Sequence, residues 1–142
     1  MSFGQWPKLP DWTAIALPFI LAGKALFTLR NKETLNRFTY RVDKKKDISF
    51  VKLLTGADNT QCYSYIGFIR NNEFIYGVKS RISMAALGVQ AFDYVFNNLL
   101  SQGKPNPKLE IWHEGKCGRC GRTLTVPESI KSGFGPECSK FI

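Results

Sequence analysis

From Ala25 to Val78 apolar residues keep returning at every second position, and no other property of the chain narrows its fold as much. A period of two places alternate side chains on opposite faces of a strand; an amphipathic helix needs a period near 3.6. Ala25, Phe27 and Leu29 alternate with Leu26, Thr28 and Arg30, and Phe38, Tyr40 and Val42 alternate with Thr39 and Arg41. Residues 31 to 36 are short and polar enough to join these two strands as a hairpin, and Asp43-Lys-Lys-Lys-Asp47 makes a charged turn into Ile48 to Leu54. After the turn signal Gly56-Ala-Asp-Asn59, the run Cys62 to Ile69 is rich in Tyr, Ile and Phe. Asn71-Asn72 separates it from Phe74 to Val78. Strands in sequence joined by short polar turns predict an antiparallel meander.

The flanks change period. From Asp11, a capping residue, Trp12, Ile15, Phe19 and Ile20 recur at helical spacing, with Pro18 as a kink and Gly23 as the stop. Ser83 caps a second and longer helix in which Met84, Leu87, Ala91, Phe92, Val95 and Leu99 share one face, ending before Gly103. Such a stripe covers one face of a sheet. Lys104-Pro-Asn-Pro-Lys108 is a stiff connector to a last strand, Leu109 to Trp112. The expectation is an α+β fold: an antiparallel meander of five or six strands packed by one long helix, with a structural zinc module at the C-terminal end. Residues 1–10, with Trp6, Pro7 and Pro10, form an irregular arm; 11–108 form the α+β domain and 109–142 the module. At 142 residues, one core is enough.

The module rests on cysteine spacing. Cys117-Gly-Arg-Cys120 is a C-x-x-C with glycine after each cysteine and before the lysine that leads into it, and seventeen residues separate Cys120 from Cys138. Two thiolates three residues apart on a turn can face one ion while nearby N–H groups point at the sulfurs. A tetrahedral Zn2+ site takes four ligands, so His113, Cys117, Cys120 and Cys138 make a closed Cys3His set, which is structural in type. Cys62 is the competing fourth ligand, although a cysteine in an apolar strand ordinarily packs as a small hydrophobe. A thioredoxin-like redox pair would need a parallel α/β setting that the pattern lacks, and a disulfide suits a secreted chain. Between the ligand pairs, Thr125-Val-Pro-Glu128 is a capping box for a short helix through Ile130. Gly133-Phe-Gly-Pro-Glu-Cys138 then folds back to deliver the last sulfur. With so small a core, the metal supplies most of the module's folding energy.

At these residues the sequence resembles a family of short, mostly uncharacterised proteins and domains from bacteriophages and bacterial mobile elements. The shared pattern is C-G-R-C-G-R-x-L-T-x-P-E-S-I-x-x-G-x-G-P-x-C. It is matched by Cys117 through Ile130, then Gly133, Gly135, Pro136 and Cys138. Residues 23–29 and 38–42 also resemble the β-rich leader found before that module. The resemblance implies zinc and a phage-like origin, and no catalytic activity.

Charge narrows the function. Twenty Lys and Arg against eleven Asp and Glu give a formal +9 and a pI near 9.6, which points to an acidic partner. In the module Lys116, Arg119, Arg122, Lys131 and Lys140 are placed to contact phosphates, and Lys44, Lys45 and Lys46, with Arg41, extend the basic surface. Tyr63, Tyr65 and Phe68 offer stacking faces if they point outward. The expected function is that of a small phage-type accessory protein that binds nucleic acid or a nucleoprotein complex without catalysis. The alternative is an inhibitor of a host defence complex, anti-CRISPR-like or other anti-defence, acting by contact with an acidic protein. Catalysis has little support, because the chain has one histidine and no paired carboxylates, and a closed metal shell leaves no room for an activated water beside Glu110, Glu114 or Glu128. The longest apolar stretch, residues 15–22, is far short of the roughly 20 residues that cross a bilayer, and no secretory signal precedes it. The expected location is the cytoplasm, that of the host if the protein is phage-encoded.

Overall fold

A computed structural model describes residues 17–56, 62–102, 108–113 and 117–121, with only the backbone of His113. Six strands form one antiparallel sheet: β1 (Lys24–Asn31), β2 (Arg37–Lys45), β3 (Ile48–Leu54), β4 (Tyr63–Arg70), β5 (Glu73–Tyr76) and β6 (Leu109–His113). Their order is β5-β4-β3-β2-β1-β6, so β1 to β5 are the meander and the last strand returns to the free edge of β1. A short helix α1 (Leu17–Ile20) precedes β1. Helix α2 (Leu87–Asp93) continues into a π-helical segment, Tyr94–Leu100.

Register sorts the side chains into two faces. Partners across the ladder share a face, so Phe27, Tyr40 and Leu53 lie in one row and Ala25, Val42 and Val51 in the next. These residues are buried and meet the helix. Phe92 sits at the centre, with its ring 5.0 Å from Tyr40, 4.9 Å from Phe74 and 5.7 Å from Phe96. Tyr40 is fully buried, and its hydroxyl donates to the carbonyl of Gly88 at 2.6 Å, fastening the start of α2 to the middle of the sheet. Burial pushes the Tyr40 phenol far above its ordinary pKa, so this donor stays protonated.

The one long helix expected from Ser83 is instead a short α-helix continued by the π-helical segment. Ser83 makes a tight local turn: its hydroxyl accepts the Ala85 N–H and its carbonyl the Ala86 N–H. Ala86 caps α2 without a side-chain bond. The hydroxyl thus closes a turn of its own in competition with helix initiation. The apolar face is also rotated from the expected one. Val89, Phe92, Val95, Phe96, Leu99 and Leu100 are buried, whereas Met84 and Leu87 are exposed. The wider π turn, closed by the Ser101 N–H on the Phe96 carbonyl, lets the adjacent pairs Val95-Phe96 and Leu99-Leu100 both reach the sheet. Leu87, Ala91 and Tyr94 line a groove of about 380 Å³ beside Phe38 and Leu109.

Turn chemistry corrects two boundaries. The Asp43–Asp47 turn shrinks to Lys46 and Asp47, because Asp43, Lys44 and Lys45 pair with Phe50, Ser49 and Ile48; Lys46 takes a left-handed φ of 57°. Strand β5 stops at Tyr76, short of the exposed Val78. At Asn71-Asn72 both residues have positive φ, the requirement of a two-residue type I′ hairpin, and asparagine tolerates it. The edge of β5 is covered by Asn97, whose side-chain amide accepts the Phe74 N–H at 2.8 Å and donates to the Phe74 carbonyl at 3.0 Å. The expected helix from Asp11 is described only from Leu17, and the 1–10 arm and the segment from Arg122 to the end lie outside the described residues.

Candidate functional site

The cysteine turn is built on the first strand. β6 pairs with β1 so that His113 lies opposite Phe27, and the chain beyond β6 comes back beside the start of β1. There the Lys24 N–H donates to the Gly118 carbonyl at 2.8 Å. The turn closes through the Gly121 N–H on the Cys117 carbonyl at 2.9 Å, and Gly121 has a φ of +80°, a conformation that side-chain-bearing residues rarely adopt. Gly23 has a φ of +135°, and a Cβ there would sit 3.4 Å from the Arg119 carbonyl. Both glycines therefore serve the close approach of this turn to the sheet.

Cys117 is completely buried in the edge of the core, and Cys120 is half-buried beside it. Cys62, Cys117 and Cys120 are not disulfide-bonded. The Arg119 N–H donates to the Cys117 sulfur at 3.4 Å. A metal ion is the chemistry that a C-x-x-C turn ordinarily holds. Cys62 is far from this place. It lies next to Tyr63 at the start of β4, bonded to Thr55, whereas the row of Lys24, Asp43, Phe50 and Phe68 marks the other end of the sheet. Six residues of strand at ~3.3 Å each put it about 20 Å from that row. His113 is the last residue of β6, opposite Phe27. Its side chain, Cys138, Lys116, Arg122, Lys131 and Lys140 lie outside the described residues. Among the described residues no group of three or more Cys, His, Asp or Glu is placed to hold a metal.

Basic residues gather at the same end. The Lys44 N–H donates to the Gly23 carbonyl at 2.9 Å, one residue from the bond that holds Gly118. The exposed Lys44, Lys45 and Lys46 tip, the exposed Lys24 and the exposed Arg119 thus share one rim of the sheet. The Lys24 stem passes over Gly121, 3.4 Å from where a Cβ would stand. Arg41 lies elsewhere, on the face turned away from α2, in an ion pair with Asp43 at 3.6 Å and over the Tyr63 ring at 5.8 Å. Lys24, Lys52, Arg70 and Phe50 are not singled out by sequence reasoning, yet their places follow from the alternation that marks the strands. Glu110 is buried between β6 and β1, paired with Arg30 at 3.2 Å and Lys32 at 3.9 Å, so this carboxylate ties the edge strand in place.

Residues 111–140 match the model of DUF6011, a family of unknown function. The matched segment starts in β6, contains the cysteine turn and runs on beyond the described residues. No curated protein and no solved structure matches the chain. What the described residues define is an α+β protein with a curled antiparallel six-stranded sheet, and none of its helices is long and apolar enough to cross a membrane.

Proposed function

We propose that this is a small, non-catalytic nucleic-acid-binding protein of the phage accessory type, whose C-terminal segment is organised by one Zn2+ ion. The observation that carries the reading is the convergence of the Arg119 turn and the Lys44–Lys46 tip on the Gly23–Lys24 step, through bonds of 2.8 and 2.9 Å. A chain of net charge +9 gathers cations from three separate segments on one rim, where each contact to a phosphate releases counterions. Cys117, Cys120, His113 and Cys138 would hold the ion. Support for it is the buried Cys117 sulfur with its N–H donor, and the distance of Cys62 leaves His113 as the better fourth ligand. When bound, the metal supplies structural cross-linking.

The test is a titration of labelled single- and double-stranded DNA and RNA at two salt concentrations. Binding should weaken steeply as salt rises, and Lys44→Gln, Lys45→Gln and Lys46→Gln together should flatten that slope. Failure to bind any of the four nucleic acids at low salt would overturn the proposal and turn attention to an acidic protein partner.

A further inference from the structure

We propose that the face of the sheet turned away from α2 is a stacking platform for single-stranded nucleic acid, with Phe50, Tyr65 and Phe68 as its rings. The inference rests on the nucleic-acid reading above and names the strandedness of the ligand.

Register puts these rings together. Phe50 lies opposite Phe68 and Lys52 opposite Tyr65, and both pairs belong to the face that the buried Val51 and Leu53 leave behind. The Phe50 and Tyr65 rings are 6.2 Å apart at 50° to each other, and all three are half-buried with part of their surface in solvent. α1 and α2 both lie on the other face; on this one Thr28 and Glu110 are buried toward β1 and β6, and the rings stand on the β3–β4 part. An antiparallel sheet with one solvated face normally turns polar residues outward. Here a cluster of aromatic rings takes that place, an arrangement that marks a binding surface.

Charge identifies the occupant. Across β2 to β5 this face carries Arg37, Arg41, Lys45, Lys52 and Arg70 against Asp43 and Glu73. Arg41 and Lys52 are direct cross-strand partners, although like charges placed opposite each other destabilise a sheet. Lys52 and Arg70 have no ion-pair partner among the described residues. A polyanion relieves this repulsion. Two guanidinium groups already lie over rings of the face, Arg41 over Tyr63 and Arg70 over Phe68, each at 5.8 Å, so cation and π-face come as adjacent units. That combination fits bases stacked on rings with phosphates on neighbouring cations. A duplex presents its bases already stacked on both sides at ~3.4 Å spacing, so it has no free π-face for rings in the middle of a sheet. An unpaired strand has one at every base.

The experiment uses the full zinc-loaded chain with a fluorescent 12-nucleotide oligo-dT, its oligo-U counterpart and a 12-base-pair duplex. Phe68→Leu and Tyr65→Leu keep apolar bulk on the strand and remove the ring, and thermal unfolding checks that each variant is folded. Each should lose about 5- to 100-fold in single-strand affinity while duplex affinity and the salt slope stay unchanged. Phe68→Trp should restore binding and show indole quenching on the single strand. Folded leucine variants with unaltered single-strand affinity would overturn the platform while leaving the salt-dependent basic rim intact. Loss of single-strand and duplex binding in equal measure would overturn it too, and absence of all nucleic-acid binding by the wild type would remove both readings.

Discussion

The backbone N–H of Lys24 donates to the carbonyl of Gly118 across 2.8 Å, and this bond makes the first residue of β1 and the cysteine turn one structural unit. Residues separated by more than ninety positions in the chain thereby share one rim. The Lys44 N–H on the adjacent Gly23 carbonyl adds the hairpin tip to it.

That unit depends on a backbone angle available to glycine. Gly23→Ala places a Cβ at φ +135° beside the Arg119 carbonyl, and strain of this kind costs ~1–3 kcal/mol. The variant should unfold at lower temperature. The buried Cys117 should also react faster with a thiol reagent than in the wild type, and an unchanged rate would show that Gly23 does not hold the turn.

The ligand assignment is checked by metal content. Elemental analysis should find one zinc per chain in the wild type and in Cys62→Ser, because Cys62 stands about 20 Å along the sheet from the turn. His113→Ala should retain less zinc and have a protease-sensitive C-terminal segment. Full zinc in His113→Ala together with loss in Cys62→Ser would reverse the assignment.

Lys46 sets stability against binding. Its φ of 57° is unfavourable for a residue with a Cβ, so Lys46→Gly should stabilise the fold by ~0.5–1 kcal/mol in denaturant unfolding. Nucleic-acid affinity should fall and the salt slope become shallower, as expected for one phosphate contact removed. A more stable variant with undiminished affinity would take Lys46 out of the interface.

Asn97 closes the β5 edge. Asn97→Leu removes both bonds to Phe74 and leaves its backbone N–H and carbonyl without that partner, a loss of ~1–3 kcal/mol. Hydrogen exchange should quicken at Phe74. Self-association at high concentration should also rise, because the exposed edge becomes available to a second sheet.

Much of the sheet was legible in the sequence, since burying one face forces a period of two and leaves the alternation of Ala25 to Leu29 or Phe38 to Val42 readable without coordinates. The face that Tyr65 and Phe68 share was not legible in this way: three positions apart, they come to one face because the pairing of β3 with β4 shifts register between Val51 and Lys52. The helix was less legible. Its apolar residues fit a straight 3.6 period through Met84 and Leu87, but Ser83 closes a local turn and the chain widens at Tyr94, so the buried stripe runs through Val89, Phe92 and Phe96. Competition between a side-chain bond and helix initiation, and between α and π turns, depends on what the segment packs against.

By itself the sequence determined the local matters: alternating strands, two-residue turns at polar pairs, a C-x-x-C turn with glycines where positive φ is needed, and an excess of positive charge. Only the tertiary structure decided which of these meet. Pairing of β6 with the free edge of β1, far away along the chain, brings Arg119 to Lys24 and Lys44 and leaves Cys62 at the opposite end. The reason is physical: side-chain period is a property of neighbours in the chain, whereas proximity of distant segments is set by which hydrogen-bonding edge remains open once the local strands have paired.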